Sequence, residues 1–394
     1  MQHFRRIDMY RISLIVCLLL GTTAQGSELS GELIFPLDSN HNHAPGIVEL
    51  PNGELLVSWY RGSGERQADD VRVLGSRKKP QDSSWSEPFL MADTPGFPDC
   101  NTCMMLDRSN RLWLFWPIII ANTWESCLTY SALSTDYMGN GSPRWSSKEI
   151  LFLKPDDFSE VVLKKLERFL SEGQFKLTER QQGIVEQVKK RLPDKLYQRL
   201  GWQPRCKPTI LKDGRILLPL YTDTFNMSIM AISDDQGQSW TASTPLIGYG
   251  NIQPTVLERT DGSLIAYMRE NGFTGKIRAC ESKDRGQSWT DAFSTSLPNP
   301  GAGIDSVKLN NSKWVLIYND TTQGRHRLAV SISDDEGKSW KWTRHLEDQE
   351  GSSFHYPAII QGKDGRIHAV YSYFAPGGKS MKHVAFDEAW ILGQ

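Results

Sequence analysis

An eight-residue phrase, SDDQGQSW from Ser233 to Trp240, returns as SKDRGQSW at Ser282 to Trp289 and as SDDEGKSW at Ser333 to Trp340. Asp235, Asp284 and Asp335 stand 49 and 51 residues apart, so one unit recurs about every fifty residues, the length of a propeller blade. The residue types suit a tight turn between strands. Gly237, Gly286 and Gly337 tolerate positive φ, and the Asp two positions earlier can accept from the turn's own backbone N–H groups. The closing Trp then packs as a plug between neighbouring strands. Nothing in such a turn requires a substrate, so the phrase specifies a fold and is silent about chemistry.

A second signal sets the number of units. Six segments read as apolar strand, polar turn, apolar strand: GIVELPNGELLVSWY, TCMMLDRSNRLWLFW, PTILKDGRILLPLY, PTVLERTDGSLIAYM, DSVKLNNSKWVLIY and PAIIQGKDGRIHAVYSY. Their turn residues Gly53, Asn110, Gly214, Gly262, Ser312 and Gly365 are about fifty apart, except that some fifty extra residues separate Asn110 from Gly214. Eroded copies of the turn phrase end at Trp85 and at Trp145. The reading is all-β: a six-bladed propeller of four-stranded antiparallel blades. The last blade has no fourth strand of its own, and Glu32 to Leu37 is free to supply it, closing the ring and removing the sheet edges. Between blades two and three, Lys154 to about Leu200 carries Val162, Leu166, Phe169 and Leu170 at helical spacing among charges, which predicts an inserted helical pair, a surface packing element or a wall beside the cleft.

The N-terminus has Arg5, Arg6 and Arg11, an apolar run Ile12 to Leu20 too short to span a bilayer, then small residues to Gly26. That order predicts a signal peptide over residues 1–26 and an exported mature chain, 27–394. Five cysteines remain, Cys100, Cys103, Cys127, Cys206 and Cys280, too few and odd in number for a disulfide scaffold. Cys100 and Cys103 form a lone C-x-x-C with no second pair at ligand spacing, which predicts buried thiols or one bridge and no metal. A net charge of −1 argues against nucleic-acid or membrane partners, no nucleotide-binding loop is present, and no cofactor is expected. Oligomeric state is left open.

In a propeller, groups just before the first strand and just after the second of each blade line the mouth of the axial channel. That rule selects His41, His43 and Arg61, then Asp99 and Asn101, then Arg205, Lys207 and Asp223. Later blades add Gln253, Arg269 and Glu270, then Asp305, Asn319, Asp320 and Arg325, and finally His355, Tyr356, Tyr371 and Tyr373. Several arginines around one concavity predict an anionic ligand held bidentately.

The repeated phrase, the six blades and stretches such as HAPGIVELPNG, RCKPTILKDGRILLPLYTDTF and IQPTVLERTDGSLIAYMRENG resemble the sialidase superfamily, more closely its bacterial BNR-repeat branch, over almost everything after the signal peptide. Sialidases clamp the sugar carboxylate with three arginines, use a Tyr nucleophile activated by a Glu, and carry an Asp acid/base on a loop, outside the usual two-carboxylate scheme. By this resemblance the second and third arginines fall on Arg269 and Arg325 and the nucleophile on Tyr371. The first arginine is replaced by His43 and the activating glutamate by Gln253, an amide without useful basicity. Glu65, Asp69 and Asp70 are the acid/base candidates, and Arg205 and Arg61 are further substrate-binding candidates.

The resemblance implies an exported glycoside hydrolase of exo-α-sialidase type acting on the terminal acidic sugar of a glycan, with His43 as a third binding group or a base. Two alternatives keep the same groups. A lyase would abstract the proton beside a uronate carboxylate and yield an ultraviolet-absorbing product, and a non-catalytic glycan-binding propeller would bind without turnover.

Overall fold

Six antiparallel sheets close into a ring in the computed structural model, which describes residues 28–171 and 178–394. Blade one runs outward through His41–Glu49, Leu55–Gly62, Arg72–Lys78 and Phe89–Ala92, and each later blade repeats that order. Blade three differs in that its first strand is split into Gln203–Pro204 and Thr209–Ile210, both paired with Ile216–Thr222. The six hairpin turn residues named from the sequence all have positive φ, from 56° at Asn110 to 98° at Gly214. Even the two that are not Gly, Asn110 and Ser312, take this conformation.

Each repeated phrase follows a third strand and is locked by its own side chains. Asp235 accepts from Ser239 N at 2.9 Å and from Ser233 Oγ at 2.8 Å, while Gly237 N donates to Ser233 Oγ at 2.7 Å. The glycines also face the preceding blade. A Cβ on Gly237 would lie 2.6 Å from Trp113 of blade two, one on Gly286 would lie 3.0 Å from Leu217 of blade three, and one on Gly337 would overlap Tyr267 of blade four. The phrase therefore joins neighbouring sheets as well as turning the chain.

Ser30–Leu33 pairs with Gly378–Phe386 as the outer strand of blade six, Ser30 opposite Ala385 and Leu33 opposite Lys382. The predicted closure holds, with the strand starting two residues earlier than Glu32. Beyond Leu33, Ile34 and Phe35 turn inward, and Phe35 stacks on Trp59 at 5.1 Å. The core lies between adjacent blades, mostly Val, Ile, Leu and Trp from second and third strands.

The insertion contains helices α1 (Phe158–Ser171) and α2 (Glu179–Arg191), as predicted, plus a single-turn α3 (Lys195–Arg199). Thr178 caps α2 with a reciprocal bond to Gln181. Phe158, Val162, Val188 and Leu192 are buried against Trp202, Phe225 and Ile247, which fixes the helices to the side of blade three. All five cysteines of the described residues are buried free thiols. The signal peptide assigned to 1–26 lies outside the described residues, and among those described no helix is long and apolar enough to cross a membrane.

Candidate active site

Three first strands reach the axis with the same local device. His43-Ala44-Pro45, Ile252-Gln253-Pro254 and His355-Tyr356-Pro357 each sit at a break in strand register, and the residue before Pro takes φ of 53°, 55° and 48°. Left-handed φ is unusual for a non-Gly residue and more so before Pro, which favours extended conformations. Such strain collects at functional sites. Here it places Gln253 and Tyr356 together, their side chains both meeting the space over Gly303, where a Cβ would come within 2.5 Å of the Tyr356 ring and 3.2 Å of Gln253 Oε1.

Three guanidiniums surround Tyr356, with Arg205, Arg269 and Arg325 at 5.1, 6.0 and 5.8 Å from the ring centroid. Arg269 Nη1 donates to the Tyr356 hydroxyl at 3.1 Å and, at a weak 3.4 Å, to Gln253 Oε1. Its Nε is buried with no partner among the described residues. Arg325 donates to Gly301 O at 2.8 Å and meets His355 Nδ1 at 2.7 Å. Among the described residues neither Arg269 nor Arg325 has a carboxylate within salt-bridge distance. Glu270, next to Arg269 in sequence, faces away and accepts from Thr274 N and Gly275 N. Arg205 is committed instead to backbone carbonyls of Pro45, Tyr356 and Pro357, so it braces the strained Tyr356 from beneath.

His43 is buried against Tyr356, at 4.5 Å between centroids, and beside His41, Tyr60 and His355. Ser372 Oγ accepts from Ala44 N, which leaves its own proton for His43 Nδ1 at 3.1 Å, and Ala44 N also points at that nitrogen. Nδ1 is therefore an acceptor and Nε2 carries the hydrogen. Burial, then His355, His41 and the arginines, hold the imidazole well below its usual pKa, so it is neutral. Neutral His43 with Nε2–H is a hydrogen-bond donor and not a base. His355 is alike, accepting from Arg325 at Nδ1 and donating from Nε2 to Ser353 Oγ at 2.8 Å.

Two carboxylates approach this group. Glu65 accepts from the Tyr60 hydroxyl at 2.8 Å and from Arg66 at 3.0 Å, and lies with His41 and His43 so that one ligand atom of each falls within 4.8 Å of the others. The lock on His43 Nδ1 and the adjacent guanidiniums work against a cation in that cluster. Asp223 accepts from Gln203 Nε2 at 3.0 Å, and Gln203 in turn is bonded by Asn101, which also reaches Tyr221. Burial pushes the Asp223 carboxyl up to about 6, against the pull of Arg269 and Arg66.

Several sequence assignments change. Tyr371 is fully buried between blades five and six, and its hydroxyl donates at 2.5 Å to Glu347, which sits on the outermost strand of blade five and is salt-bridged to Lys382. The tyrosine beside the arginines is Tyr356. The two differ because Tyr371, on a regular second strand, faces the neighbouring sheet, whereas the break before Pro357 turns Tyr356 to the axis. Arg61 pairs with Asp38 at 2.7 Å near the ring closure and does not join the cluster. Asp69 accepts from Asn122, and Asp70 from Ser63 N and Oγ, so both hold the loop while Glu65 reaches the site. Asp99, Lys207 with Asp305, and Asp320 with His345 serve the scaffold. The missed signal was the thrice-repeated residue-Pro step, which aligns Tyr356 with Gln253.

The closed six-bladed ring thus carries an arginine-flanked tyrosine at its axis. A BNR repeat-like domain matches residues 53–190 and 187–369, and the chain belongs to that family, within the sialidase superfamily. It is 27% identical over 366 residues to a sialidase of Bacteroides fragilis, covering 87% of this chain and 61% of that protein. It is 22% identical over 197 residues to an anhydrosialidase of Macrobdella decora, covering 43% of this chain and 25% of that one. The chain thus spans less than two thirds of the curated relatives it matches. In structure it is similar to a leech intramolecular trans-sialidase complexed with 2,7-anhydro-Neu5Ac, with a TM-score of 0.69, 13% identity, and 93% and 71% of the two chains covered. A protein of unknown function from Dyadobacter fermentans gives 0.67 at 15% identity, covering 91% of this chain and 99% of that one.

Proposed function

We propose that the chain is an exported glycoside hydrolase of sialidase type, which removes a terminal acidic sugar from a glycan. The observation that carries this is the pairing of Arg269 and Arg325 across Tyr356 without a carboxylate partner among the described residues. Partly buried cations held by long or neutral contacts favour an anion that completes them. Arg269 and Arg325 hold the sugar carboxylate, and the Nε2–H of neutral His43 supplies a third donor where the superfamily has arginine. That placement sets the anomeric carbon beside the Tyr356 hydroxyl.

In the reaction, the glycosidic C–O bond breaks and the leaving oxygen takes the Asp223 proton, while the Tyr356 oxygen bonds to the anomeric carbon and passes its phenolic proton to solvent water. Water then adds to that carbon, its proton returns to the Tyr356 oxygen as that bond breaks, and solvent reprotonates Asp223. Asp223 suits the acid role because burial keeps its proton to about pH 6. Gln253 cannot take the phenolic proton, so polarisation of Tyr356 falls to Arg269. The locked tautomer of His43 disfavours a lyase that would use this histidine, one of the Tyr or His groups able to abstract the proton, as its base. Export rests on the N-terminal pattern of Arg5 to Gly26.

The test is to incubate the mature protein with sialosides and uronate oligosaccharides. Release of free acidic sugar supports hydrolysis; a new ultraviolet chromophore identifies elimination, and binding without product identifies a lectin-like propeller.

A further inference from the structure

The helical insertion does more than cover blade three. Between α1, α2 and the turns of blades three and four lies a cavity of about 190 Å³, lined by Leu166, Phe169, Ile184, Phe225, Ile247 and Phe273. It is larger than the roughly 150 Å³ space that holds a benzene ring. Phe169 and Phe273 flank Tyr249 at 5.7 and 5.4 Å, so one wall is aromatic. Ile184 and Phe273 remain 47% and 49% exposed.

One edge is polar, and that edge faces the arginine site. Asn271 lines the cavity and donates to Asn226 at 2.6 Å, while its Oδ1 accepts from Arg269 Nη2 at 3.4 Å. A single side chain therefore separates the carboxylate-binding guanidinium from an apolar recess. A sugar ring in the recess would leave most of its hydroxyls desolvated and without partners, which disfavours it. An aromatic or alkyl group would be stabilised instead, in proportion to the apolar surface removed from water.

We propose that this cavity is the aglycone subsite, and that the preferred substrate is an acidic glycoside whose leaving group is an aryl or alkyl alcohol. The inference rests on the acidic-sugar reading of the arginine site and adds the chemistry of the other half of the substrate. Phe273 and Ile184 are the specificity-determining residues.

The experiment measures binding and turnover of three probes by the mature protein: free sialic acid, methyl α-sialoside and 4-nitrophenyl α-sialoside. The wild type is expected to hold the aryl glycoside ~10-fold or more tightly than the methyl glycoside, from burial of one ring. Phe273→Ser and Ile184→Asn, two separate surface variants, should each remove most of that advantage as a rise in KM, with kcat and the affinity for free sialic acid unchanged. Equal affinity for aryl and methyl glycosides, or silent variants, would overturn the subsite while leaving the acidic-sugar site standing. Failure of free sialic acid and both glycosides to bind would overturn the acidic-sugar reading and this inference with it.

Discussion

Arg269 Nη1 lies 3.1 Å from the hydroxyl of Tyr356, and the same nitrogen reaches Gln253 Oε1, where the superfamily has a glutamate. A cation has taken over the side of the phenol that a carboxylate would otherwise serve. Charge developing on the phenolic oxygen meets a guanidinium held by neutral neighbours, a form of preorganised electrostatics.

The assignment of Tyr356 separates two tyrosines that sequence resemblance confuses. Tyr356→Phe should lower turnover by about 10³-fold or more with binding retained, the signature of a group that acts on the reacting carbon. Tyr371→Phe should leave turnover intact and cost roughly 1–3 kcal/mol of stability, because Glu347 loses a buried donor. Steady-state kinetics and denaturant melts on both variants decide it. The reverse pattern would return the nucleophile to Tyr371.

Gln253→Glu should raise kcat. The new carboxylate would sit against Arg269, which offsets the cost of burying it, and would supply the missing proton acceptor. General-base assistance contributes about 10²–10⁴-fold. A gain of ~10-fold or more in single-turnover rate is the expected outcome, and an unchanged rate would mean that proton removal from Tyr356 is not limiting.

In the proposed reaction Asp223 is the acid, so activity would require its protonated form, present below about pH 6 and lost as pH rises through that value. The descending limb of kcat/KM should be centred near pH 6 in the wild type. In Asp223→Asn the limb should vanish with a rate loss of ~10²-fold or more. Glu65→Gln should keep the limb. If the limb instead survives in Asp223→Asn and disappears in Glu65→Gln, the acid is Glu65.

Ring closure should fail in acid before the blades do. His368 Nδ1 and His383 Nε2 lie 3.1 Å apart where the Ser30–Leu33 strand joins blade six, with Glu32 3.5 Å from His383. Burial, then His383, pulls His368 down to about 4. The fold thus holds this imidazole neutral while the unfolded chain protonates it near 6.5. Its contribution is complete above that value, declines as pH falls towards about 4, and changes no further once both states are protonated. The loss over that window is on the order of 2–3 kcal/mol. Melts from pH 7.5 to 4 should show it, and His368→Gln should flatten the curve; an equal slope in the variant would contradict it.

The architecture was legible because it repeats. The phrases ending at Trp240, Trp289 and Trp340, the six hairpin turns and the helical spacing from Val162 are local patterns, and local patterns survive without knowledge of the fold. Arg269 and Gln253 were legible because they lie near the ends of strands that lead to the axis, and Arg325 because it lies just before one. Tyr371 misled because it sits in a regular strand whose two faces cannot be told apart from alternation when both are covered. Tyr356 was named among the mouth residues, but its role depends on a register break and a left-handed φ before Pro357, features no residue count reveals. The roles of Arg205, Arg61, Asp69 and Asp70 were equally hidden, since each is decided by a partner distant in sequence: Tyr356 O, Asp38, Asn122 and, for Asp70, a loop that closes on Ser63.

In the proposed reaction Tyr356, and no other tyrosine, stands at the reacting carbon of an acidic sugar. Trapping with a 2,3-difluoro sialic acid, whose intermediate is slow to hydrolyse, followed by mass spectrometry of the digested protein, reads this directly. A single sugar adduct on Tyr356, absent in Tyr356→Phe, is the expected result. An adduct on Tyr371, or full turnover with no tyrosine labelled, would contradict it.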